Sequence, residues 1–384
     1  MSIIGAMITL ACHSAFPRCK AIWTRSSVHP KTILFQRCVA PSGAALKRSL
    51  HSCFLWAAAL FCGLQVNAPA EAEPLRFALI AKRVDQTFFI QVAEGCAQAA
   101  QTQGDTCLLL GTSGPTHFRR QNEVLEQALD MNLDGIGLAV THSKWLAEHA
   151  LRRLGKTPLI TINSDFAPEE QHLRQSYVGL DNLAFGQQLG VLVQHFRPKG
   201  GKLCILTGSP QETNLQTRIR GIRQQLRGGH VEDRTTGPLQ GENGWSELNR
   251  CPLYQANDPP TALLKLATLL NSGSQVDAII TPGSWLVYEA EEFRRQIAPI
   301  LAALDQKGTR PVIIMTINEP DAAQLALLDD GLVQAYLAIK SREIGRESYR
   351  ILKRLAQGEP VPEEVFIDSH VYLPKAPTGT GSER

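Results

Sequence analysis

Residues 82–89 (KRVDQTFF) combine a lysine, an arginine, an aspartate, a glutamine, a threonine and two aromatic rings within eight positions. Such a set can donate to, accept from and pack against a small polar molecule, without itself being a catalytic constellation. Three further polar clusters have the same character: Thr112-Ser113, residues 141–143 and residues 163–165. Catalytic patterns do not accompany them. The chain has no G-x-x-x-x-G-K-[ST] loop, no H-E-x-x-H helix, no G-x-S-x-G elbow and no G-x-G-x-x-G after a first strand. Histidines such as His117, His142 and His195 are scattered, none at ligand spacing from a cysteine or carboxylate, so the sequence reads as a non-enzyme with no cofactor and no bound metal.

The elements that must position these clusters follow from periodicity. Residues 75–81 form a nearly continuous apolar run, as a strand buried on both faces does. Phe89, Val92, Cys96 and Ala100 then recur at helical spacing, so 82–89 is the loop between a first strand and a first helix. Two readings of Phe88 and Phe89 stand: ligand-facing rings, or the first core residues of that helix. The pattern repeats with strands at 106–110, 135–140 and 158–162 and helices at 118–131 and 144–154. Strand–helix alternation with right-handed crossovers puts every strand's carboxyl end, and all four polar clusters, on one edge of a parallel sheet. Residues 176–181 break the rhythm as a crossing between lobes, and a second series begins: strands at 202–208, near 253–254, and at 277–282, 311–316 and 333–339, with helices between and a last helix at 343–356. The glycine-rich, aperiodic stretch 228–250 reads as an excursion loop.

The first 72 residues look different. Lys47-Arg48, an apolar run over 54–64 and Ala70-Glu71-Ala72 have the form of a secretory signal peptide cleaved after Ala72. The run is short for a membrane span, which needs roughly 20 residues. The whole chain of 384 residues carries 39 basic and 36 acidic side chains. Removing seven basic residues and one acid with the leader leaves 32 and 35, a formal charge of −3. A slightly acidic body without a basic stripe argues against a nucleic-acid partner. Five of the nine cysteines leave with the leader. Of the four that remain, Cys96 and Cys204 sit in apolar helix and strand patterns where free cysteine behaves as a small hydrophobe; proximity in sequence allows a Cys96–Cys107 bridge, and four cysteines fix no connectivity.

An ordered series of features now adds up: the exported leader, the first strand leading to Phe88-Phe89, Val178-Gly179-Leu180-Asp181-Asn182 before a helix with Gly186 and Gly190, Arg218-x-x-Gly221-Ile222, Asn318-Glu319-Pro320 after a strand, Asp330-Gly331, and Ile344-Gly345 in the final helix. In these features the chain, over about residues 75–371, resembles the periplasmic sugar-binding proteins of the ribose- and galactose-binding type, relatives of the ligand domains of lac-repressor-like regulators. The resemblance implies an α/β fold of two Rossmann-like lobes with parallel sheets joined by a three-strand hinge, closing over a small ligand. On this view residues 73–180 and 340–363 form the first lobe, and 181–339 and 364–384 the second. It also implies ligand contacts: Gln86, Phe88 and Phe89 in the first-lobe loop, Asn163 and Ser164 after the fourth strand, Arg218 from the second lobe, and Asn318 or Glu319 where the family has an aspartate. Arg218 has a second reading as a surface charge, since Arg220 and Arg223 share its helix.

These residue types suit a sugar, whose apolar ring face packs on aromatics and whose hydroxyls need groups that both donate and accept. Three departures stand out. The ribose-type Asp-Arg pair is replaced by Asn163-Ser164, Ile339-Lys340 stands where a hinge glutamine is common, and Gly283-Ser284-Trp285 stands where the family often has Asn-Asp, so that Trp285 either stacks on ligand or caps the core end of its helix. The partners implied are a small sugar or polyol and an ABC permease, in the periplasm of a Gram-negative bacterium; the alternative partner is a membrane sensor, a histidine kinase or chemoreceptor.

Overall fold

The computed structural model describes residues 73–228, 237–273 and 275–375. The expected signal peptide lies outside the described residues. Within them, β1 (Arg76–Ile80) is the apolar run read from the sequence, solvent-free except for Arg76, and α1 (Thr87–Gln101) turns Phe88, Phe89, Val92, Cys96 and Ala100 inward, the helical face that their spacing defines. Then follow β2 (Thr106–Leu110), α2 (Phe118–Leu129), β3 (Gly135–Leu138), the short α3 (Ser143–Glu148), β4 (Leu159–Ile162) and β5 (Ser176–Gly179).

The second series is α4 (Asn182–Phe196), β6 (Gly201–Thr207), α5 (Thr213–Leu226), β7 (Trp245–Glu247), β8 (Leu253–Tyr254), α6 (Pro259–Asn271), β9 (Ala278–Thr281), α7 (Ala290–Gln306), β10 (Val312–Ile317), α8 (Ala322–Asp329) and β11 (Ala335–Ile339). The chain ends in α9 (Ser341–Ala356), β12 (Glu364–Phe366) and β13 (Ser369–Tyr372).

Two sheets result, one per lobe. The first runs β12-β5-β4-β3-β1-β2 and the second β13-β11-β10-β9-β6-β7, with β8 also on β6. All pairings are parallel except β11 with β13, so the second sheet departs from the parallel expectation at one edge. Two further corrections concern boundaries. Trp245–Glu247, placed by the sequence in an excursion loop, is an edge strand on β6 because Trp245 buries its indole in the core. Residues 364–366, expected in the second lobe, pair with β5 in the first sheet, so the last passage between sheets comes at 367–368. The other passages lie between β5 and α4 and between β11 and α9.

Glycines let the helices of each lobe approach one another closely. A Cβ on Gly186 of α4 would stand 2.1 Å from the carbonyl oxygen of Arg218 in α5, and one on Gly345 of α9 would stand 1.9 Å from that of Val92 in α1. Each lobe thus has a tightly crossed helix pair on one face of its sheet.

Both cysteine pairs are disulfides, Cys96–Cys107 with Cα atoms 5.9 Å apart and Cys204–Cys251 at 5.3 Å. The second corrects the reading of Cys204 as a free apolar residue. β8 pairs with β6 so that Leu253 faces Leu206, and two residues back the same register brings Cys251 to Cys204.

Candidate functional site

The carboxyl ends of β1, β4, β6, β9 and β10 meet across the gap between the two sheets, the position at which parallel α/β sheets take ligands. A cavity of about 50 Å³ lies there. From the first lobe its wall takes Lys82, Gln86, Phe88, Phe89 and Asn163; from the second it takes Glu212, Asn214, Arg218, Asn257, Trp285 and Asn318, with Leu215, Gly283, Ser284, Tyr288, Thr316 and Ile339 completing it.

Hydrogen bonds cross between the lobes around this cavity. Lys82 Nζ donates to Glu212 Oε1 at 2.7 Å and to Asn214 Oδ1 at 3.3 Å. Arg83 Nη1 donates to the Asn257 carbonyl at 2.7 Å, Gln91 Nε2 to the Glu319 carbonyl at 3.3 Å, and Thr213 Oγ1 to the Asp165 carbonyl at 2.7 Å. The lobes are therefore closed on one another.

The buried charges are arranged in order. Glu212 precedes α5 and is 2% exposed; besides Lys82 its carboxylate accepts from Asn257 Nδ2 at 2.9 Å and from the Ser209 amide at 3.1 Å. Burial pulls the Lys82 ammonium below its ordinary range, against the opposing pull of Glu212. Arg218, also 2% exposed, donates only to neutral acceptors: Asn182 Oδ1 at 2.8 Å, the Pro282 carbonyl at 2.8 Å and Asn163 Oδ1 at 3.1 Å. Burial lowers its pKa to about 10, and the guanidinium lies 4.8 Å over the Phe185 ring. The surface-charge reading of Arg218 is thus excluded by its burial.

Aromatic surfaces supply the apolar part. Phe88 and Phe89 meet edge-to-face with centroids 4.9 Å apart, serving as core and as cavity wall at once. Trp285 likewise belongs to the second-lobe core and to the wall. Gly283 makes room for its indole: a Cβ there would stand 2.2 Å from the ring. Tyr288, with its phenol pushed up to about 12 by burial, is neutral. Asn163 and Asn257 hold φ of 57° and 60°, a left-handed conformation that asparagine tolerates better than most residues and that recurs at ligand sites.

Of the residues expected from the sequence, Gln86, Phe88, Phe89, Asn163, Arg218, Trp285 and Asn318 are brought together on this wall, and two are not. Ser164 is taken up off the cavity wall, its hydroxyl donating to the Val140 carbonyl at 2.8 Å and lying 3.5 Å from Thr213 Oγ1 of the second lobe, because its backbone turns tightly onto Ile162. Glu319 turns from the cavity to Arg342, accepting from its amide at 3.1 Å and from its guanidinium. The residues the sequence reading missed are chiefly Lys82, Glu212, Asn214, Asn257, Ser284 and Tyr288. Lys82 had a signal, as the first residue of the loop after β1; Glu212 and Asn257 had none, since their importance comes from the lobes meeting.

With this geometry in place, comparison with known proteins is direct. The sequence profile of the periplasmic binding protein domain matches residues 77–360. The chain belongs to the periplasmic binding protein family. It is similar to the D-ribose/D-allose-binding protein of Pseudomonas aeruginosa, 23% identical over 188 residues; that stretch is 47% of this chain and 59% of the relative, so only part of the relative's length is matched. Among solved structures, the glucose-galactose binding protein GanP of Geobacillus stearothermophilus superposes with a TM-score of 0.65 at 20% identity, covering 80% of this chain and 99% of that one. An ABC transporter solute-binding protein of Agrobacterium vitis with bound D-fucose gives 0.64 at 19% identity, covering 78% and 95%. At these identities the likeness is one of fold.

Proposed function

We propose that this protein is an exported, non-catalytic receptor of the periplasm that closes its two lobes over one small sugar or sugar-like molecule and delivers it to an ABC permease. The observation that carries the reading is the cavity itself, in which aromatic rings and hydrogen-bonding side chains from both lobes surround one small space. Closure is then driven by the ligand's better fit to the closed state. Gln86, Asn163, Arg218 and Asn318 would hold the ligand's polar groups, and Phe88, Phe89 and Trp285 its apolar ring face. Relatives and structural neighbours described as sugar-binding support the ligand class; the description of the Agrobacterium vitis neighbour as an ABC transporter component supports a permease as partner, and another neighbour, described as a XylFII-LytSN complex with a sensor kinase domain, supports the alternative of a membrane sensor.

Thermal denaturation of residues 73–384 against a panel of sugars and polyols tests this. A ligand at 100 times its dissociation constant adds about 2.7 kcal/mol, or roughly 2–4 °C in a protein of this size. A shift with one sugar that disappears in Trp285→Ala and weakens in Phe88→Ala is expected. A folded, ligand-free protein that no carbohydrate shifts would overturn the assignment.

A further inference from the structure

The cavity wall carries an uneven set of charges. Three ionisable side chains with a formal charge line it, the cations Lys82 and Arg218 and the anion Glu212. Lys82 and Glu212 form a charge-assisted pair at 2.7 Å. The Glu212 carboxylate also accepts from Asn257 and Ser209, so its capacity is largely taken up. Arg218 has no ion-pair partner among the described residues, and its three bonds go to a carbonyl and two amide oxygens. A guanidinium has five N–H donors, which leaves one unused on each terminal nitrogen.

The neighbouring amides add to the excess of donors. Lysine and arginine can only donate, so Asn214 must present its oxygen to Lys82 and Asn163 its oxygen to Arg218. Their NH₂ groups are then the parts left for the ligand. The wall consequently sets these N–H groups and one uncompensated positive charge beside acceptors that are all neutral, Gln86 Oε1 and Asn318 Oδ1 among them, and its one carboxylate, Glu212, is already taken up, where a receptor for a neutral polyol would carry a free carboxylate to accept from hydroxyls.

Resting on the reading of this cleft as a sugar site, we infer that the ligand is a monosaccharide bearing a single carboxylate, a sugar acid of the uronate or aldonate class, with its carboxylate on Arg218 and the freed NH₂ groups of Asn163 and Asn214 nearby. One negative charge matches the one surplus positive charge; a phosphate dianion overfills it. The aromatic rings of Phe88, Phe89 and Trp285 remain for the carbon skeleton.

Isothermal titration of the purified chain with matched pairs decides this: galactose with galacturonate, glucose with glucuronate and gluconate, ribose with ribonate, and as further arms sugar phosphates, inorganic phosphate, acetate and succinate. The acid of at least one pair is expected to bind about ten-fold or more tightly than its neutral parent, the gain of a hydrogen-bonded charge pair over a neutral one. The ratio of the two affinities, taken within one protein, should fall toward one in Arg218→Gln and rise in Glu212→Gln, which leaves Lys82 uncompensated as well. Should either variant fail to fold, the wild-type ratio alone decides. Neutral parents binding as well as or better than their acids would overturn the anionic assignment and leave the sugar reading standing. Tighter binding of the phosphorylated sugars would overturn the carboxylate. Binding of acetate or succinate without any sugar acid would overturn the sugar reading and keep the anion, and binding by no compound in the set would overturn both.

Discussion

Arg218 of the second lobe reaches Asn163 of the first with a 3.1 Å bond from Nη2 to Oδ1, so that a residue held in a left-handed conformation supplies the buried guanidinium's hydrogen bond to the opposite lobe. The pair depends on both lobes. It exists only while they are closed, and it defines the side of the cavity that lacks a carboxylate.

Asn163→Ala should destabilise the closed protein by about 1–3 kcal/mol, since a buried donor loses its acceptor, and by roughly 1–2 kcal/mol more because alanine pays for the left-handed backbone. Asn163→Asp should do the opposite for Arg218, placing a carboxylate beside it, and should weaken binding of any anionic ligand. Urea midpoints and titration calorimetry on both variants measure these effects. Equal stability of Asn163→Ala and wild type would show that the pair contributes nothing.

The Cys204–Cys251 bridge closes 47 residues and Cys96–Cys107 closes 11. On chain-entropy grounds their loss should cost roughly 4 and roughly 3 kcal/mol. Denaturant midpoints of Cys204→Ser and Cys107→Ser give the values. In the oxidised chain from residue 73 onward, thiol titration under denaturing conditions should find no free cysteine.

Acid should weaken the first lobe through Asp105. Desolvation pushes this carboxyl up, but bonds from the Tyr349 hydroxyl, the Leu75 amide and Lys353 outweigh it and hold it below the ordinary aspartate range. With the folded value below the unfolded one, near 3.9, its contribution is complete above that pH and is lost as pH falls through the folded value. A plot of melting temperature against pH should therefore steepen below about pH 4, and Asp105→Asn should flatten that limb while lowering stability at neutral pH. An unchanged acid limb in the variant would rule Asp105 out as the source.

Gly186→Ala would put a methyl group 2.1 Å from the Arg218 carbonyl. The α4–α5 pair must then spread and carry Arg218 with it. A loss of about 1–3 kcal/mol in stability is expected, accompanied by a fall in ligand affinity that a surface substitution of equal stability cost would not cause. Undiminished affinity in the folded variant would mean that the helix crossing does not set the position of Arg218.

How much of this was legible in the sequence depends on whether a signal is local. The β1–α1 unit reads cleanly because an apolar run and a helical period are both written within 30 residues, and Gln86, Phe88 and Phe89 follow as the loop at a strand's carboxyl end. Asn163, Arg218 and Asn318 needed the family resemblance, since nothing about each alone separates it from a surface polar residue. Lys82 lies in the loop that the sequence marks, but its pairing was not legible, and Glu212 gave no signal, because the burial of both is created by a partner 130 positions away. The same holds for Cys204 and Cys251, which meet only through the β6–β8 pairing, and for Trp245–Glu247, three strand residues inside a polar, glycine-rich stretch. Conversely, Ser164 and Glu319 looked like ligand groups by position and were claimed instead by Val140 and Arg342, contacts that sequence spacing does not reveal.

The most direct measurement is tryptophan fluorescence during ligand titration. Among the described residues the tryptophans are Trp145, Trp245 and Trp285, and only Trp285 lines the cavity. The emission change produced by the sugar or sugar acid found in the binding screens should persist in Trp145→Phe and Trp245→Phe, and vanish in Trp285→Phe. A change that survives Trp285→Phe and is lost with Trp145 or Trp245 would place the ligand outside the cleft and contradict the account.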